Sequence, residues 1–239
     1  KGTPIINLIQ IDSGEFIQAV IPIREYMENY FLIFCTKHGI VKKTPMTEFE
    51  NIRKGGLFAI TLRDGDELIA VKMTDGHQEV MIGTQNGQSI RFVENDVRPM
   101  GRTASGVRGI TLSRNDMVVG MDIVGVNAFV LIVTEKGYGK RTPIDEYRLQ
   151  TRGGKGIKTL NVTDRNGPIV GLEMVSDRDD IMIITNSGVI IRTESSGIST
   201  MGRYTQGVKL ITLHEDERVS TVAKVKVDKE LMDEDSQEQ

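Results

Sequence analysis

The segment Gly106-Val-Arg-Gly-Ile-Thr-Leu112 is one of five similar stretches that organise the chain. In each stretch the leading glycine is followed four residues later by Ile or Leu, and six residues later by Leu or Val. The leading glycines are 54, 50, 50 and 51 residues apart, and such a fixed period indicates a repeat architecture. The five stretches are Gly2–Leu8, Gly56–Leu62, Gly106–Leu112, Gly156–Val162 and Gly207–Leu213.

A second element repeats in phase and predicts a β-hairpin. It is an apolar run, then Thr-x-x-Gly, then a second run with a base four residues past the glycine, where the glycine supplies the left-handed residue that ends the turn. The four Thr-x-x-Gly motifs lie at 36–39, 84–87, 134–137 and 185–188, and their bases are Lys43, Arg91, Arg141 and Arg192. A third element, rich in Val and Ile, lies at 16–23, 68–73, 117–123, 169–174 and 219–227.

The local pattern is β throughout, because the runs are short, β-branched and bounded by turn residues. About four short strands per repeat match the size of a propeller blade, and a four-stranded sheet has to stack against neighbours to bury both faces. The sequence therefore predicts an all-β, propeller-like domain over residues 1–227 with about five four-stranded blades. The repeats lie near 1–55, 56–105, 106–155, 156–206 and 207–227. Because the first begins midway and the last is incomplete, we expect part of a larger polypeptide.

Composition excludes several classes of protein. No run approaches 18 apolar residues, and the start has no charged-then-apolar leader. The single Cys35 excludes an internal disulfide and a Cys-based zinc site, and the three histidines lack ligand spacing, so we expect no metal site and a cytoplasmic location. Net charge is −3, but residues 228–239 carry −5, which leaves a mildly basic body. We expect this acidic tail to be disordered and solvated; alternatively, it competes with an anionic ligand for the basic surface.

Basic residues recur at the repeat boundaries and favour a polyanion track. Each internal leading glycine is preceded by an arginine, and three are followed by a base two residues later. The arginines are Arg53, Arg102, Arg152 and Arg203, and the following bases are Arg108, Lys158 and Lys209. If these positions share one edge of the blades, DNA would be held there through its phosphates without base readout, and the glycines would let backbone N–H groups approach phosphates. The alternative is that Gly and Arg serve only the blade turns and solubility. No convergent acid, base and nucleophile is recognisable, so the sequence predicts no catalytic residue.

The segment Gln150-Thr-Arg-Gly-Gly-Lys-Gly156 resembles the GyrA-box, Gln-Arg-Arg-Gly-Gly-Lys-Gly, of the C-terminal domain of GyrA proteins of bacterial DNA gyrase. It differs at Thr151, where the family has Arg. Residues 101–107, residues 134–143 and the 50-residue period are also similar to that family. The family's principal box lies near its first blade, so the resemblance implies that 150–156 is a second, degenerate copy.

The resemblance implies a β-pinwheel, in which neighbouring blades exchange their outer strands, and a fragment of a six-bladed domain. In the family this domain wraps and bends double-stranded DNA around its perimeter to support negative supercoiling. The parent would be an ATP-dependent type II topoisomerase, an isomerase. Its catalytic residues, ATP and Mg²⁺ would lie in other domains, leaving this fragment without a cofactor. The implied partners are DNA, the gyrase protein GyrB and a second GyrA in a heterotetramer, with no membrane.

The resemblance also assigns candidate residues. We expect Arg152, Lys155 and Lys158 to contact phosphates, and Gln150, Thr151, Gly153, Gly154 and Gly156 to complete the box-like loop. Repeat equivalence adds Arg102, Arg108, Arg203 and Lys209, and then Lys43, Arg91, Lys140, Arg141 and Arg192. Two alternatives stay open: the C-terminal domain of the GyrA-equivalent protein of topoisomerase IV, and a propeller-type protein-interaction module with an apolar or mixed top face.

Overall fold

The computed structural model describes residues 7, 9, 14–23, 25–52 and 55–226, and the prediction of an all-β chain is confirmed within them. Most of Gly2–Leu8, Arg53 and the acidic tail at 228–239 lie outside the described residues. The described strands are β1 Phe31–Thr36, β2 Ile40–Pro45, β3 Leu68–Thr74, β4 Glu79–Thr84, β5 Gln88–Val93, β6 Val107–Arg108, β7 Val118–Ile123, β8 Phe129–Thr134, β9 Tyr138–Pro143, β10 Ile157–Lys158, β11 Ile169–Val175, β12 Asp179–Thr185, β13 Ile190–Glu194, β14 Val208–Lys209 and β15 Val219–Lys226. Single 3-10 turns follow the second strand of each hairpin, at 46–49, 94–96, 144–146 and 195–197.

These strands form four antiparallel sheets rather than about five, so the predicted number of blades is wrong. From the innermost strand outward, blade 1 is β3-β1-β2-β6, blade 2 is β7-β4-β5-β10, blade 3 is β11-β8-β9-β14 and blade 4 is β15-β12-β13. The incomplete last repeat forms no sheet of its own because β14 joins blade 3 and β15 joins blade 4. Residues 16–23, counted as part of the first repeat, form no strand.

Neighbouring blades exchange their outermost strands. The short strands after Gly106, Gly156 and Gly207 cross to the preceding blade, so that β6 pairs with β2, β10 with β5 and β14 with β9. These three glycines have positive φ and lie against the accepting strand: a Cβ at Gly106 would lie 2.6 Å from the Val41 oxygen, and one at Gly156 would lie 2.3 Å from the Ser89 oxygen. The periodic glycine is therefore required by close backbone approach at the exchanged strand.

Blades 2 and 3 each lie between two neighbouring blades, so both faces of their sheets are buried. This explains the continuous apolar runs in their strands. Alternate residues of a strand point to opposite faces. Val80 and Ile82 pack with Ile33 of blade 1, whereas Met81 packs with Val130 of blade 3. Leu131 and Val133 likewise pack with Ile181 and Ile183 of blade 4. The hydrophobic core is thus a series of layers between blades.

The innermost strands β3, β7, β11 and β15 line an axial cavity of about 600 Å³. Residues 18–22 lie along the same cavity, where Gln18 Nε2 donates to the Ile69 oxygen at 3.0 Å. The opposite ends of the sheets, at β6, β10 and β14, therefore form the perimeter of the described blades. No helix in the described part of the chain is long and apolar enough to cross a membrane.

Candidate nucleic-acid interface

The bases that follow each hairpin hold the next blade. Lys43 is 2% exposed, and its Nζ donates to the Glu94 backbone oxygen at 3.2 Å and to Asn95 Oδ1 at 3.1 Å. Its Nζ also lies 3.6 Å from the Glu94 carboxylate. Glu94 and Asn95 belong to the 3-10 turn of blade 2. Lys43 is therefore a buried clamp between blades 1 and 2, and the structure contradicts its expected contact with phosphate.

Arg91 and Arg141 repeat this arrangement one and two blades further on. Arg91 is half-buried; its Nη1 donates to the backbone oxygens of Ile144 and Tyr147, and its Nε pairs with Glu79 at 2.6 Å. Arg141 is 5% exposed, donates through Nε to the Ile198 oxygen at 3.0 Å and packs over the Phe129 ring. The expectation that Arg141 contacts DNA is wrong because its guanidinium is enclosed between blades 3 and 4.

Arg192 is the fourth member of this set and is 56% exposed on its side chain. It pairs with Asp180 of its own blade at 2.6 Å, and no described blade follows blade 4. The other three bases are covered by the 3-10 turn of the following blade. Arg192 has no such turn beside it among the described residues, which explains its exposure.

Two buried lysines donate hydrogen bonds to backbone oxygens of the boundary loops. Lys140 is fully buried and donates to the backbone oxygens of Gly202 and Arg203, so its predicted phosphate contact is also wrong. Burial lowers the pKa of Lys140 to about 8. Lys42, which the sequence did not single out, donates in the same way to the oxygens of Ala59 and Arg102, and burial likewise lowers its pKa to about 8. These two side chains thus supply hydrogen-bond donors to backbone carbonyl oxygens that cluster inside the protein.

The boundary arginines lie beside the outermost strands and bond to the backbone of the start of their own repeat. Arg152 Nη1 donates to the Arg108 oxygen at 2.9 Å, and Arg203 Nη1 donates to the Lys158 oxygen at 2.9 Å. Arg102 Nη1 makes the equivalent contact with the Phe58 oxygen at 3.4 Å. All three arginines are half-exposed. Arg152 and Arg203 thus connect the outer edges of two neighbouring blades and remain partly accessible to solvent.

The bases two residues past the leading glycines lie on the outermost strands. Arg108 is on β6, Lys158 on β10 and Lys209 on β14, and each strand is the outer edge of its blade. Arg108 and Lys209 are exposed, and Lys158 is half-exposed. Because Arg152 bonds to the backbone of Arg108 and Arg203 to that of Lys158, basic residues of consecutive blades are neighbours along the perimeter. We call the boundary arginines and these strand bases the outer-edge cations: Arg102, Arg108, Arg152, Lys158, Arg203 and Lys209.

Three backbone N–H groups of the box-like loop at 150–156 donate to oxygens of the protein itself. The Arg152 N–H donates to Asp96 Oδ2 at 3.3 Å, and the Gly153 N–H donates to the Gly109 oxygen at 2.6 Å. The Gln150 N–H donates to the Arg91 oxygen at 2.8 Å. The expectation that backbone N–H groups here reach phosphates is therefore wrong for these three residues. Lys155, in contrast, is exposed at the tip of the loop.

Sequence reasoning missed two exposed arginines beside these loops. Arg98 and Arg148 each lie four residues before a boundary arginine, and they are 50 residues apart. Arg148 lines a surface concavity together with Asp96, Gln150 and Thr151. Their spacing equals that of Arg102 and Arg152, so the repeat period could have identified them. Within the described residues no group of His, Cys, Asp and Glu side chains is placed to hold a metal ion.

Comparison with known proteins decides the family. The family described as "DNA gyrase C-terminal domain, beta-propeller" matches residues 30–75, 78–125, 128–176 and 179–226, which correspond to the four blades. The chain belongs to this family. The GyrA protein of DNA gyrase from Staphylococcus aureus (strain MRSA252) is 49% identical over 240 residues, covering 99% of this chain and 27% of that protein. The GyrA protein of strain NCTC 8325 / PS 47 is 50% identical over 233 residues, covering 96% of this chain and 26% of its own length. The chain thus spans about a quarter of these curated relatives.

Two solved C-terminal domains have the same fold. The C-terminal domain of DNA topoisomerase IV superimposes with a TM-score of 0.89 at 28% identity, covering 100% of this chain and 76% of that one. The DNA gyrase A C-terminal domain gives 0.84 at 26% identity, covering 94% of this chain and 75% of that one. These comparisons confirm the resemblance to gyrase and the β-pinwheel architecture.

Proposed function

We propose that this chain is a non-catalytic DNA-wrapping domain of a gyrase GyrA protein. The outer-edge cations, together with Lys155, bind phosphates of duplex DNA and bend it along the perimeter of the blades. The observation that carries this proposal is that basic residues of consecutive blades meet at the outermost strands. Arg152, just before β10, donates to the backbone oxygen of Arg108 on β6, and Arg203, just before β14, donates to that of Lys158 on β10. Phosphate contacts of this kind give affinity without base readout, and repeated contacts offset the elastic cost of bending.

In this proposal the domain acts within a larger enzyme. Its partners would be GyrB and a second GyrA, and ATP- and Mg²⁺-dependent chemistry would lie in other domains; the 49% identity to a GyrA protein supports this assignment. The bent duplex is presented in the handedness that supports negative supercoiling. Incubation of relaxed closed-circular DNA with the chain and a relaxing topoisomerase tests this role, because wrapping leaves a change in linking number. An unchanged linking number at saturating protein contradicts wrapping.

A charge-matched pair of variants tests the location of the DNA path. The first replaces Arg108, Lys158 and Lys209 by Ala, and the control replaces Arg63, Arg114 and Arg178, which are exposed and lie in loops outside the described strands. The logarithmic salt dependence of duplex binding should lose about three units of slope in the first variant, roughly one for each lost phosphate contact. The control should keep most of the slope. Equal losses would show that only net charge matters and would contradict an outer-edge path.

The C-terminal domain of the GyrA-equivalent protein of topoisomerase IV is the second candidate, favoured by the TM-score of 0.89. A gyrase-type domain should leave a large linking change in the circular-DNA experiment, whereas a domain that only binds DNA should leave little. A protein-interaction module would instead show no salt-dependent affinity for duplex DNA.

A further inference from the structure

Four charged residues occupy equivalent positions on the innermost strands. Lys72 on β3, Asp122 on β7, Glu173 on β11 and Lys224 on β15 are 50, 51 and 51 residues apart. Each blade thus contributes one charged side chain next to the axis. We call this set the hub.

Asp122 is the centre of the hub because it contacts the other three blades. Its Oδ1 lies 2.9 Å from Lys72 Nζ of blade 1, and its Oδ2 lies 3.6 Å from Lys224 Nζ of blade 4. The same Oδ2 accepts the Met174 N–H of blade 3 at 2.8 Å. Lys224 Nζ in turn donates to the Met174 oxygen at 2.6 Å. A single buried carboxylate therefore connects blade 2 with blades 1, 3 and 4.

Of the two carboxyl groups in the hub, Asp122 is the one that carries the negative charge. Burial alone would raise the pKa of Asp122, but Lys224 and Lys72 outweigh burial and hold it below its ordinary value. Burial, and then the neighbouring Asp122 carboxylate, raise the pKa of Glu173 to about 7. Near neutral pH, Glu173 is therefore substantially protonated, and the carboxylate that both lysines neutralise is Asp122.

Contacts at the axis hold the blades differently from the clamps between neighbouring blades. The clamps of Lys43, Arg91 and Arg141 each join one blade to the next. Asp122 also joins blade 2 to blade 4, across the axis. A small rotation of a blade at the axis becomes a larger displacement at its outer edge, because the outer edge lies further from the pivot.

We propose that Asp122 is a positioning residue that fixes the angles between the four blades and thereby sets the curvature of the outer-edge cations. The inference rests on the proposed function, since the outer edge is taken as the DNA path. Removing the ion pairs of Asp122 lets the angles between the blades vary, while every residue proposed to contact DNA stays unchanged. Bending of DNA is then lost while phosphate affinity is kept.

The first test needs no DNA. Asp122→Asn keeps an oxygen that can accept the Met174 N–H but removes both ion pairs. The matched control is Asp116→Asn, because Asp116 is also buried in blade 2 but bonds only to Thr84 Oγ1 and to N–H groups of Asn86 and Met117 in its own blade. Spin labels at the exposed sites Glu48→Cys and Ser196→Cys report the distance between blades 1 and 4, and Cys35 is buried. Asp122→Asn in the full chain should broaden the distance distribution, and Asp116→Asn should not. An equally narrow distribution for Asp122→Asn overturns the inference.

The second test separates bending from affinity. A duplex of about 15 base pairs, a tenth of the persistence length, is too short to bend appreciably and should bind Asp122→Asn with an affinity within about twofold of the unaltered chain. A duplex of about 100 base pairs, labelled at both ends for energy transfer, should show a smaller end-to-end approach with this variant. Unchanged approach overturns the inference. If the unaltered chain binds neither duplex, the proposed DNA function fails, while the spin-label distances still decide whether Asp122 sets the blade angles.

A variant that removes the ion pairs together with both lysines guards against simple loss of folding. Lys72→Met, Asp122→Asn and Lys224→Met combined leave no unpaired lysine next to the axis, so the blades should stay folded, which circular dichroism checks. The inference expects the broad distance distribution and the reduced bending in this variant as well. A folded triple variant with the narrow distribution of the unaltered chain overturns it.

Discussion

Glycines of the box-like loop illustrate how one residue type serves different purposes within seven positions. Gly153 and Gly156 have φ of +81° and +73°, whereas Gly154 is outside the left-handed region. A Cβ at Gly156 would meet the Ser89 oxygen at 2.3 Å, but one at Gly154 would have no atom nearer than 3.7 Å. Strand exchange therefore requires Gly156 and not Gly154.

Replacing these two glycines separately tests that difference. Gly156→Ala should lower the free energy of unfolding by about 2 kcal/mol or more, because a left-handed backbone and a backbone clash both oppose the methyl group. Gly154→Ala should change it by less than about 0.5 kcal/mol. Urea denaturation of both variants measures the difference. Similar destabilisation by the two would refute the assignment.

Glu173 makes stability depend on pH. Its pKa is raised from the ordinary 4.5 to about 7, so between these values the folded chain binds more protons than the unfolded chain. The free energy of unfolding therefore falls as pH rises through this window, as far as Glu173 contributes to it. Glu173→Gln should flatten this fall and should raise stability at pH 8 by on the order of 2 kcal/mol. Urea denaturation at pH 4, 6 and 8 measures the change, and a pH dependence identical to that of the unaltered chain would contradict it.

Among the elements, the hairpins differ in what lies against their final strand. In β2, β5 and β9 the base at the fourth position past the glycine reaches the 3-10 turn of the next blade. In β13 the equivalent Arg192 pairs within its own blade. The same sequence position is thus a buried clamp in one element and a surface cation in another.

A pair of arginine variants tests this contrast. Arg141→Ala should destabilise the chain by about 2–3 kcal/mol, because it removes charge-assisted hydrogen bonds from a buried site. Arg192→Ala should cost less than about 1 kcal/mol, as is usual for an exposed ion pair. Thermal unfolding of the two variants gives the comparison. If Arg192→Ala were as damaging as Arg141→Ala, the clamp assignment would fail.

At the scale of the whole molecule, charge is divided unevenly along the chain. The body is mildly basic and residues 228–239 carry −5. A polyanionic duplex and this acidic segment are attracted by the same cations. The segment therefore competes with DNA if it reaches the outer edge.

Deleting residues 228–239 should tighten duplex binding by several-fold at low salt, with a smaller gain at high salt because screening weakens the competition. Fluorescence anisotropy at two salt concentrations measures both affinities. A variant of full length, in which Asn and Gln replace the acids of this segment, separates the effect of charge from that of chain length and should tighten binding to the same extent. Affinity that is unchanged in both variants would leave the segment without a role in DNA binding.

The sequence alone determined the hairpins, the inner strands from residue 68 onward and the family, because these depend on local residue patterns and on a repeated period; residues 16–23 have the same pattern but form no strand. It also placed the outer-strand bases, since Arg108, Lys158 and Lys209 follow a glycine that must lie on an accepting strand. The number of blades was missed because the last partial repeat gives β14 and β15 to two different sheets.

Only the tertiary structure decided which periodic cations are available to a ligand. Lys43 and Arg141 recur with the same spacing of about 50 residues as the outer-edge cations, yet they are covered by Glu94 and Ile198, which lie 51 and 57 residues away in sequence. The same holds for Asp122, whose partners come from three other blades. Burial and charge pairing depend on which segments meet in space, and a repeat pattern gives equivalent positions without stating what lies opposite each of them.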